Sequence, residues 1–451
     1  MSVPLRIILV STYEMGRQPF GLASPAAWLR EAGFQVECVD LSIEAFSEDS
    51  LRAADLIAFY VPMHTATRMA VRALSDARRL NPRAHFCFFG LYAAENVDYL
   101  KRLGVDTILG GEFETSLVNL ASWLAATHSA TAPAPVIPTI SLERQAFRVP
   151  DRHDLPPLDS YAHLALPDGS QRTVGYVEAS RGCKHLCRHC PIVPVYNGRF
   201  RLVGRDVVLA DIRQQVDAGA EHITFGDPDF FNGIGHALPL VEALHSEFPR
   251  LTYDVTIKVE HLRKHIAQLP TLKATGCLFI TSAVESFDSN ILDIFDKQHT
   301  AKDFETVLTE CQRVDLPLVP TFVAFTPWTT LDGYRAFLQE IARLGLVDSV
   351  APVQYTIRLL IPPGSRLLEL PDVQAIVGNL DEEKLSYEWR NADPRVDALQ
   401  RELSGIVQRM TRRPRREVFA RVWKHAFGHA SHLPQLPPST AVPYVTEPWF
   451  C

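Results

Sequence analysis

The chain has 451 residues, of which 47% are hydrophobic and 22% charged, and its formal net charge is −7. This length suffices for two domains and an extension, and the composition allows substantial cores. The mild negative charge gives no sign of a nucleic-acid partner, and no apolar run is long enough to span a membrane. The N-terminus lacks a signal-peptide pattern, so we expect a cytoplasmic protein.

The first 127 residues alternate short apolar runs with helical patterns. A helix is predicted over residues 26–32, ending at Gly33. Buried apolar runs that alternate with helices are typical of a parallel, doubly wound α/β sheet, in which ligands bind at the carboxyl ends of the strands. The predicted strands are residues 5–10, 34–39, 56–61, 84–89 and 105–109.

The rest of the chain divides by composition. Residues 128–171 are rich in alanine, proline and threonine and are predicted to be an interdomain linker. Residues 172–370 resume the strand–helix alternation, and residues 371–451 combine a charged helical stretch with a proline-rich tail. The six strands predicted in the second alternating region are residues 173–178, 222–225, 252–257, 277–282, 318–325 and 353–359.

Three cysteines follow the first strand of the second region with the spacing CxxxCxxC: Cys183, Cys187 and Cys190. Thiolates this close cannot all pair in disulfides, but one short loop can fold them around a metal centre. Three cysteines are one too few for a closed zinc site or a fully cysteine-ligated cluster, which leaves a coordination position open. The alternatives are a zinc knuckle with His185 or His189 as fourth ligand, three unrelated thiols, and a non-catalytic zinc or iron–sulfur protein.

The motif, placed after a short apolar strand, resembles the signature of radical SAM enzymes. The resemblance implies that the three thiolates hold a [4Fe–4S] cluster and that S-adenosylmethionine (SAM) chelates the remaining iron. It also implies a partial (β/α)6 barrel over residues 172–370 and an electron donor such as flavodoxin or ferredoxin. His189 stands where the family usually has an aromatic residue that packs near the adenine, and we expect its imidazole to stack there.

Further residues of the second region match positions that contact SAM in this family. Gly226 and Asp227 correspond to the strand end that touches the methionine amino group, although a glycine-shaped turn would also explain them. The resemblance assigns Glu285, followed by Ser286, to the ribose hydroxyls; a structural ion pair is the other interpretation. Arg358 is a candidate for gripping the SAM carboxylate or else a buried structural arginine.

The N-terminal region resembles the cobalamin-binding domain that precedes many radical SAM barrels. Glu112 and Glu114 belong to a Gly-Gly-Glu-Phe-Glu run that is close to the sequence that often ends this domain. The cobalamin-ligand pattern Asp-x-His-x-x-Gly is absent. Both cobalamin binding and a domain retained for substrate binding or packing therefore stay open.

The chain ends on Cys451 after a Trp-Phe pair. The cysteine loop, the run 358–365 and this tail together resemble a subgroup that ends in Cys-Cys-Ala-Glu-Pro or Cys-selenocysteine-Ala-Glu-Pro. This subgroup is similar to the radical SAM protein of arsinothricin biosynthesis. The resemblance implies alkylation of a small substrate, specifically 3-amino-3-carboxypropyl transfer to trivalent arsenic with Cys451 acting on the substrate. The alternatives are a cobalamin-dependent radical SAM methyltransferase and, for Cys451, an incidental thiol.

Overall fold

A six-stranded parallel sheet forms the N-terminal part of the computed structural model, which describes residues 5–127, 136–428, 432–438 and 442–446. The order of its strands is β2-β1-β3-β4-β5-β6. The strands are β1 (Arg6–Ser11), β2 (Gln35–Asp40), β3 (Leu56–Tyr60), β4 (His85–Phe89), β5 (Thr107–Gly111) and β6 (Ile140–Ser141). The helices that cover this sheet are α1 (Phe20–Glu31), α2 (Glu48–Ala53), α3 (His64–Leu80), α4 (Leu91–Glu95), α5 (Val97–Arg102) and α6 (Glu114–Thr127).

The predicted doubly wound fold is confirmed. The first five strands lie within two residues of their predicted bounds, because each is an apolar run buried between helices on both faces. The strand order reverses direction between β1 and β3, so the crevice for a ligand lies at the carboxyl ends of these two strands.

A seven-stranded sheet in the order β14-β13-β12-β11-β8-β7-β17 curls into the half-barrel of the second region. Five neighbouring strands are parallel, and β7 and β17 add to one edge in antiparallel fashion. The strands of this region are β7 (His163–Ala165), β8 (Gln171–Val177), β9 (Ser180–Gly182), β10 (Phe200–Leu202), β11 (His222–Phe225), β12 (Thr252–Thr256), β13 (Cys277–Glu285) and β14 (Leu318–Phe322). Its helices are α7 (Ile192–Tyr196), α8 (Arg205–Asp217), α9 (Ile234–Glu247), α10 (Val259–Lys264), α11 (Leu269–Ala274), α12 (Ser289–Phe295), α13 (Ala301–Arg313) and α14 (Leu331–Arg343).

The sixth barrel strand predicted over residues 353–359 was wrong. A 3-10 helix occupies Pro352–Tyr355, and only Arg358 makes an isolated bridge, to Phe325. The proline at the start removes a ladder donor. Gln354 supplies a hydrogen bond that a sixth strand would have given to β14, because its side-chain oxygen accepts from the Phe322 amide at 2.7 Å.

The C-terminal region packs helices onto the barrel, as the sequence indicated, but it also contains an unpredicted hairpin. Val418, Phe419 and Trp423 are buried in the barrel core. The elements of this region are α15 (Pro371–Gln374), β15 (Val377–Asp381), β16 (Ser386–Trp389), α16 (Pro394–Arg409), α17 (Arg415–Phe427) and β17 (Tyr444–Val445). The stretch predicted to be a linker contributes β6 to the first sheet and β7 to the second.

Candidate active site at the barrel mouth

The cysteine loop is anchored at its base by a short ladder. Strand β9 leads into the loop and pairs with β10, which leaves it, so that Gly182 lies opposite Phe200. Gly182 has a φ of 73°, and a Cβ there would lie 2.4 Å from the ring of Tyr196. Only glycine fits this close approach at this backbone conformation. The loop therefore emerges at the carboxyl end of β8, where parallel barrels carry their chemistry.

The three thiols share one small, poorly solvated volume. Cys187 is buried, and Cys183 and Cys190 are half-buried. Burial, aided by the neighbouring thiols, raises the pKa of Cys190 to about 12 and also raises that of Cys183. Free thiolates are therefore unfavourable here, whereas thiolates bound to a positively charged metal centre are stabilised.

The spacing of the thiols suits a cluster better than a single zinc ion. Bonds of about 2.3 Å in a tetrahedral zinc site place sulfurs about 3.8 Å apart. Within the described parts of the chain, the three sulfurs do not all approach one another within 4.8 Å. The histidines predicted as alternative zinc ligands bond carboxylates through Nε2: His185 contacts Asp229 at 3.2 Å, and His189 contacts Glu285 at 3.1 Å.

Glu285 closes β13 at the edge of the mouth in a strained backbone conformation. Its φ is 68°, and the pairing of β13 with β14 shifts register beside it. Its Oε1 lies 3.2 Å from Lys297 Nζ and 3.1 Å from His189 Nε2. Burial alone raises the pKa of this carboxyl, but the two partners outweigh burial and hold the pKa well below its usual range. Glu285 is thus an anionic acceptor at neutral pH.

Two buried basic side chains, Lys297 and His299, lie beside this carboxylate, in a run that the sequence also marked as able to contact SAM or substrate. Lys297 is 4% exposed, and its pKa is raised by Glu285, Cys187 and Cys190, which outweigh its burial. Burial and the neighbouring lysines lower the pKa of His299 to about 4, and neither ring nitrogen makes a hydrogen bond of normal geometry. A buried imidazole left in this state is a ready contact for a ligand.

The residues predicted to bind SAM differ in how many contacts they already make within the protein. His189 stacks on Phe295 with ring centroids 4.3 Å apart. A Cβ at Gly226 would lie 1.8 Å from the hydroxyl of Tyr176, so no larger residue fits. Asp227 accepts bonds from the Ala179 amide and the Ser180 hydroxyl, and burial raises its pKa to about 7. Its carboxyl therefore braces the cysteine loop.

Glu285 and Ser286 line a cavity of about 220 Å³ between the ends of β13 and β14.

The contacts of Arg358 differ from those of Glu285. Its guanidinium contacts Asp397 at 2.6 Å, donates to the Trp389 carbonyl and stacks over that indole. The structure thus gives Arg358 structural partners, and Lys297 supplies the cation that contacts Glu285. The predicted catalytic residue Cys451 lies outside the described residues.

Arg181 joins the cysteine loop to the N-terminal sheet, a contact that sequence analysis did not find. Its Nη1 lies 2.5 Å from Glu114 Oε1, and its Nε lies 2.7 Å from Glu178 Oε2. Ser24 and Glu112 complete the set, at 3.1 and 3.6 Å. The Gly-Gly-Glu-Phe-Glu run thus places two carboxylates against the residue that stands two positions before the first cluster cysteine.

Replacing Arg181 with alanine should destabilise the fold and lower the iron content of the purified protein. Loss of one partner from a buried ion cluster costs about 3–5 kcal/mol, because the carboxylates stay buried without compensation. Thermal unfolding and iron per chain measure both effects. As a matched control, Arg213→Ala removes an exposed pair with Glu247 and should cost at most about 1 kcal/mol. Equal effects of the two substitutions would contradict the assignment.

Buried polar atoms without a hydrogen-bond partner gather at the carboxyl edge of the N-terminal sheet. They are Ser11 Oγ at the end of β1, Glu14 Oε1 and Arg17 Nε after β1, His64 Nδ1 after β3, and both carboxylate oxygens of Glu95 after β4. This edge faces the barrel, since Arg17 stacks on Tyr176 of β8 with 5.0 Å to the ring centroid. Buried polar groups normally find partners, so the edge has the character of a ligand site.

No helix among the described residues is long and apolar enough to cross a membrane.

Comparison with known proteins adds three kinds of evidence. Residues 177–333 match the sequence profile of the Radical SAM superfamily. The hopanoid C-3 methylase of Methylococcus capsulatus is 24% identical over 304 residues, which are 64% of this chain and 58% of that protein. The hopanoid C-2 methylase of Rhodopseudomonas palustris is 25% identical over 62% of this chain and 51% of that protein. The chain thus spans little more than half the length of these relatives.

Two solved structures share the fold over most of the chain. The cobalamin-dependent SAM radical enzyme OxsB, with aqua-cobalamin and SAM bound, covers 94% of this chain and 71% of its own at a TM-score of 0.66 and 12% identity. The radical SAM methyltransferase TsrM of Kitasatospora setae, with cobalamin and a [4Fe–4S] cluster bound, covers 81% and 74% at a TM-score of 0.60 and 17% identity. The three thiols thus lie at the mouth of a half-barrel in which residues 177–333 match the Radical SAM superfamily, and the cofactors that this match implies are a [4Fe–4S] cluster and SAM.

Proposed function

We propose that the chain is a cobalamin-dependent radical SAM methyltransferase that acts on a small substrate. The observation that carries the proposal is the set of partnerless polar atoms after β1, β3 and β4, at the point where the strand order reverses. A ligand that is rich in hydrogen-bonding groups and lies between this edge and the barrel would satisfy them. Cobalamin, with carboxamide groups around its ring, has that chemistry.

Glu95 is the most telling of these groups. It is 8% exposed, and burial raises its pKa to about 8, so its carboxyl is mostly protonated at neutral pH. A neutral carboxyl donates one hydrogen bond and accepts another, which matches the pattern of a carboxamide. Ser11, Arg17 and His64 would supply the other contacts. The ligand-histidine pattern remains absent, so these residues would hold the corrin by its side chains.

The proposal is tested by anaerobic titration of the cluster-loaded protein with aquacobalamin, followed by gel filtration and absorbance of the protein peak. We expect one cobalamin per chain. Glu95→Leu should weaken binding about tenfold, since it removes a donor and an acceptor from a buried contact worth about 1.4 kcal/mol. Glu48→Leu, on the exposed end of α2, is the matched control and should bind normally. A wild-type protein that retains no cobalamin would exclude the proposal.

The fate of SAM distinguishes methyl transfer from the main alternative. Methyl transfer leaves S-adenosylhomocysteine, and reductive cleavage at the adenosyl carbon leaves 5′-deoxyadenosine and methionine. Transfer of the 3-amino-3-carboxypropyl group leaves 5′-methylthioadenosine. Mass spectrometry of reactions with a one-electron reductant identifies which of these accumulates. Methylthioadenosine as the sole nucleoside product would favour the alternative.

The alternative is 3-amino-3-carboxypropyl transfer to trivalent arsenic, and the course of the last strand supports it. Thr446 donates its amide to the His163 carbonyl, and β17 runs parallel to β8 toward the barrel mouth. His163 lies opposite Thr173, four residues or about 13 Å before the end of β8. A thiolate such as that of Cys451 is a good ligand for a soft element.

Removal of residues 447–451 tests this alternative with arsenite as substrate. If the tail presents arsenic to the cleaved SAM, methylthioadenosine should still form while the alkylated arsenic product falls more than tenfold. Cys451→Ser should reproduce the loss of product, because only the soft thiol is exchanged for a hydroxyl. A normal yield of arsenic product from either variant would exclude a role for Cys451.

A further inference from the structure

A buried group of two histidines and one aspartate lies beside the cysteine loop. His185 belongs to that loop, Asp229 follows β11, and His261 lies in α10. One ligand atom from each lies within 4.8 Å of the others, and among the described residues no other such trio occurs. Their side chains are only 10%, 2% and 2% exposed. None of the three is needed to hold the [4Fe–4S] cluster.

The closest contact in this group does not have the geometry of a hydrogen bond. His261 Nδ1 lies 2.6 Å from Asp229 Oδ2, at angles outside those of a regular hydrogen bond. His185 Nε2 lies 3.2 Å from the same oxygen. Bonds of about 2.0–2.1 Å in a tetrahedral zinc site place ligand atoms about 3.3 Å apart. The distance from His185 Nε2 to Asp229 Oδ2 already has about this value, and the distance from His261 Nδ1 to Asp229 Oδ2 would increase by about 0.7 Å on zinc binding.

The groups around the trio fit a metal as well. A histidine that ligates a metal usually donates its second ring N–H to a carboxylate. In this structure Lys258 Nζ donates to His185 Nδ1 at 3.2 Å and to Glu260 Oε2 at 3.1 Å. A metal on Nε2 would place the ring proton on Nδ1, where Glu260 Oε2, 3.5 Å away, is the carboxylate that can accept it. Asp229 and Glu260 thus bring two carboxylates to the trio against the one ammonium of Lys258, which favours a divalent cation.

We propose that His185, Asp229 and His261 bind one zinc ion that is separate from the [4Fe–4S] cluster. Two nitrogens and one carboxylate oxygen are ligands of zinc, and a water would complete a tetrahedron. Because the ligands come from the cysteine loop, the β11 loop and α10, the ion would fix the middle of the cysteine loop against the barrel. The site is structural, since its ligands are nearly inaccessible to a substrate.

The test is metal analysis of the reconstituted holoprotein by mass spectrometry after dialysis. We expect one zinc per chain in addition to the iron of the cluster. His261→Gln should lose at least nine tenths of the zinc and keep most of the iron. His265→Gln is the matched control, because its ring lies 6.2 Å from that of His261 and outside the trio, and it should keep both metals. A wild-type protein without stoichiometric zinc after zinc supplementation overturns the proposal.

A second measurement covers the case in which His261→Gln fails to fold. In a variant with Cys183, Cys187 and Cys190 all changed to serine, added Co²⁺ should give visible bands of four-coordinate cobalt without sulfur charge-transfer absorption. Excess Zn²⁺ should bleach these bands. Absence of four-coordinate cobalt bands in the folded triple variant would show that the trio is only a hydrogen-bonded network.

Discussion

Replacing Cys187 with alanine should abolish both the broad absorbance near ~400 nm of an iron–sulfur cluster and the cleavage of SAM. Cys187 is the most buried of the three thiols, and its neighbours have raised pKa values in the absence of a metal. Two remaining thiolates leave an iron of the cluster without a protein ligand, so the cluster should not survive purification. The expected loss of SAM cleavage is complete.

Anaerobic reconstitution, iron and sulfide analysis and a SAM cleavage assay measure this prediction. Cys311→Ala is the matched control, since Cys311 is also buried but lies on the core-facing side of α13, in the apolar core. It should lower stability by about 1 kcal/mol while cluster and cleavage persist. Full SAM cleavage by the Cys187→Ala protein would refute the assignment of the trio to a catalytic cluster.

The elements that the sequence predicted well are those whose signal is local. The strands of both sheets are short apolar runs between turn residues, and burial on both faces produces that pattern. The cysteine spacing is equally local. The first helix was predicted to begin only at residue 26, yet α1 begins at Phe20. It contains Pro25, a residue type that is unfavourable in the interior of a helix.

Contacts between distant segments explain most of what sequence analysis missed. Glu114 and Arg181 are 67 residues apart and meet only because the edge of one sheet abuts the cysteine loop of the other. Partnerless atoms such as those of Glu95 have no sequence signature, since their state depends on what the fold leaves beside them. Arg358 is the opposite case. Its position in the sequence suggested a contact with SAM, but in the fold its guanidinium contacts Asp397 of α16, which follows it by about 40 residues.

Replacing Glu285 with glutamine should weaken SAM binding more than tenfold. The anionic carboxylate at the mouth is a strong acceptor for ribose hydroxyls, and loss of one charge-assisted hydrogen bond costs about 2 kcal/mol. Isothermal titration of the cluster-loaded protein measures the Kd. Glu310→Gln, at a half-buried carboxylate of α13 that pairs with Arg313, is the control and should bind SAM normally.

A purely structural role for Glu285 makes a different prediction, because Lys297 would be left buried without its carboxylate partner. In that case Glu285→Gln lowers the thermal stability and cluster content, and adding Lys297→Met restores them together with SAM affinity. If Glu285 contacts SAM itself, the double variant should recover stability while its affinity for SAM stays at least tenfold below that of the wild type. Recovery of normal SAM affinity in the double variant would therefore reduce Glu285 to a partner of Lys297.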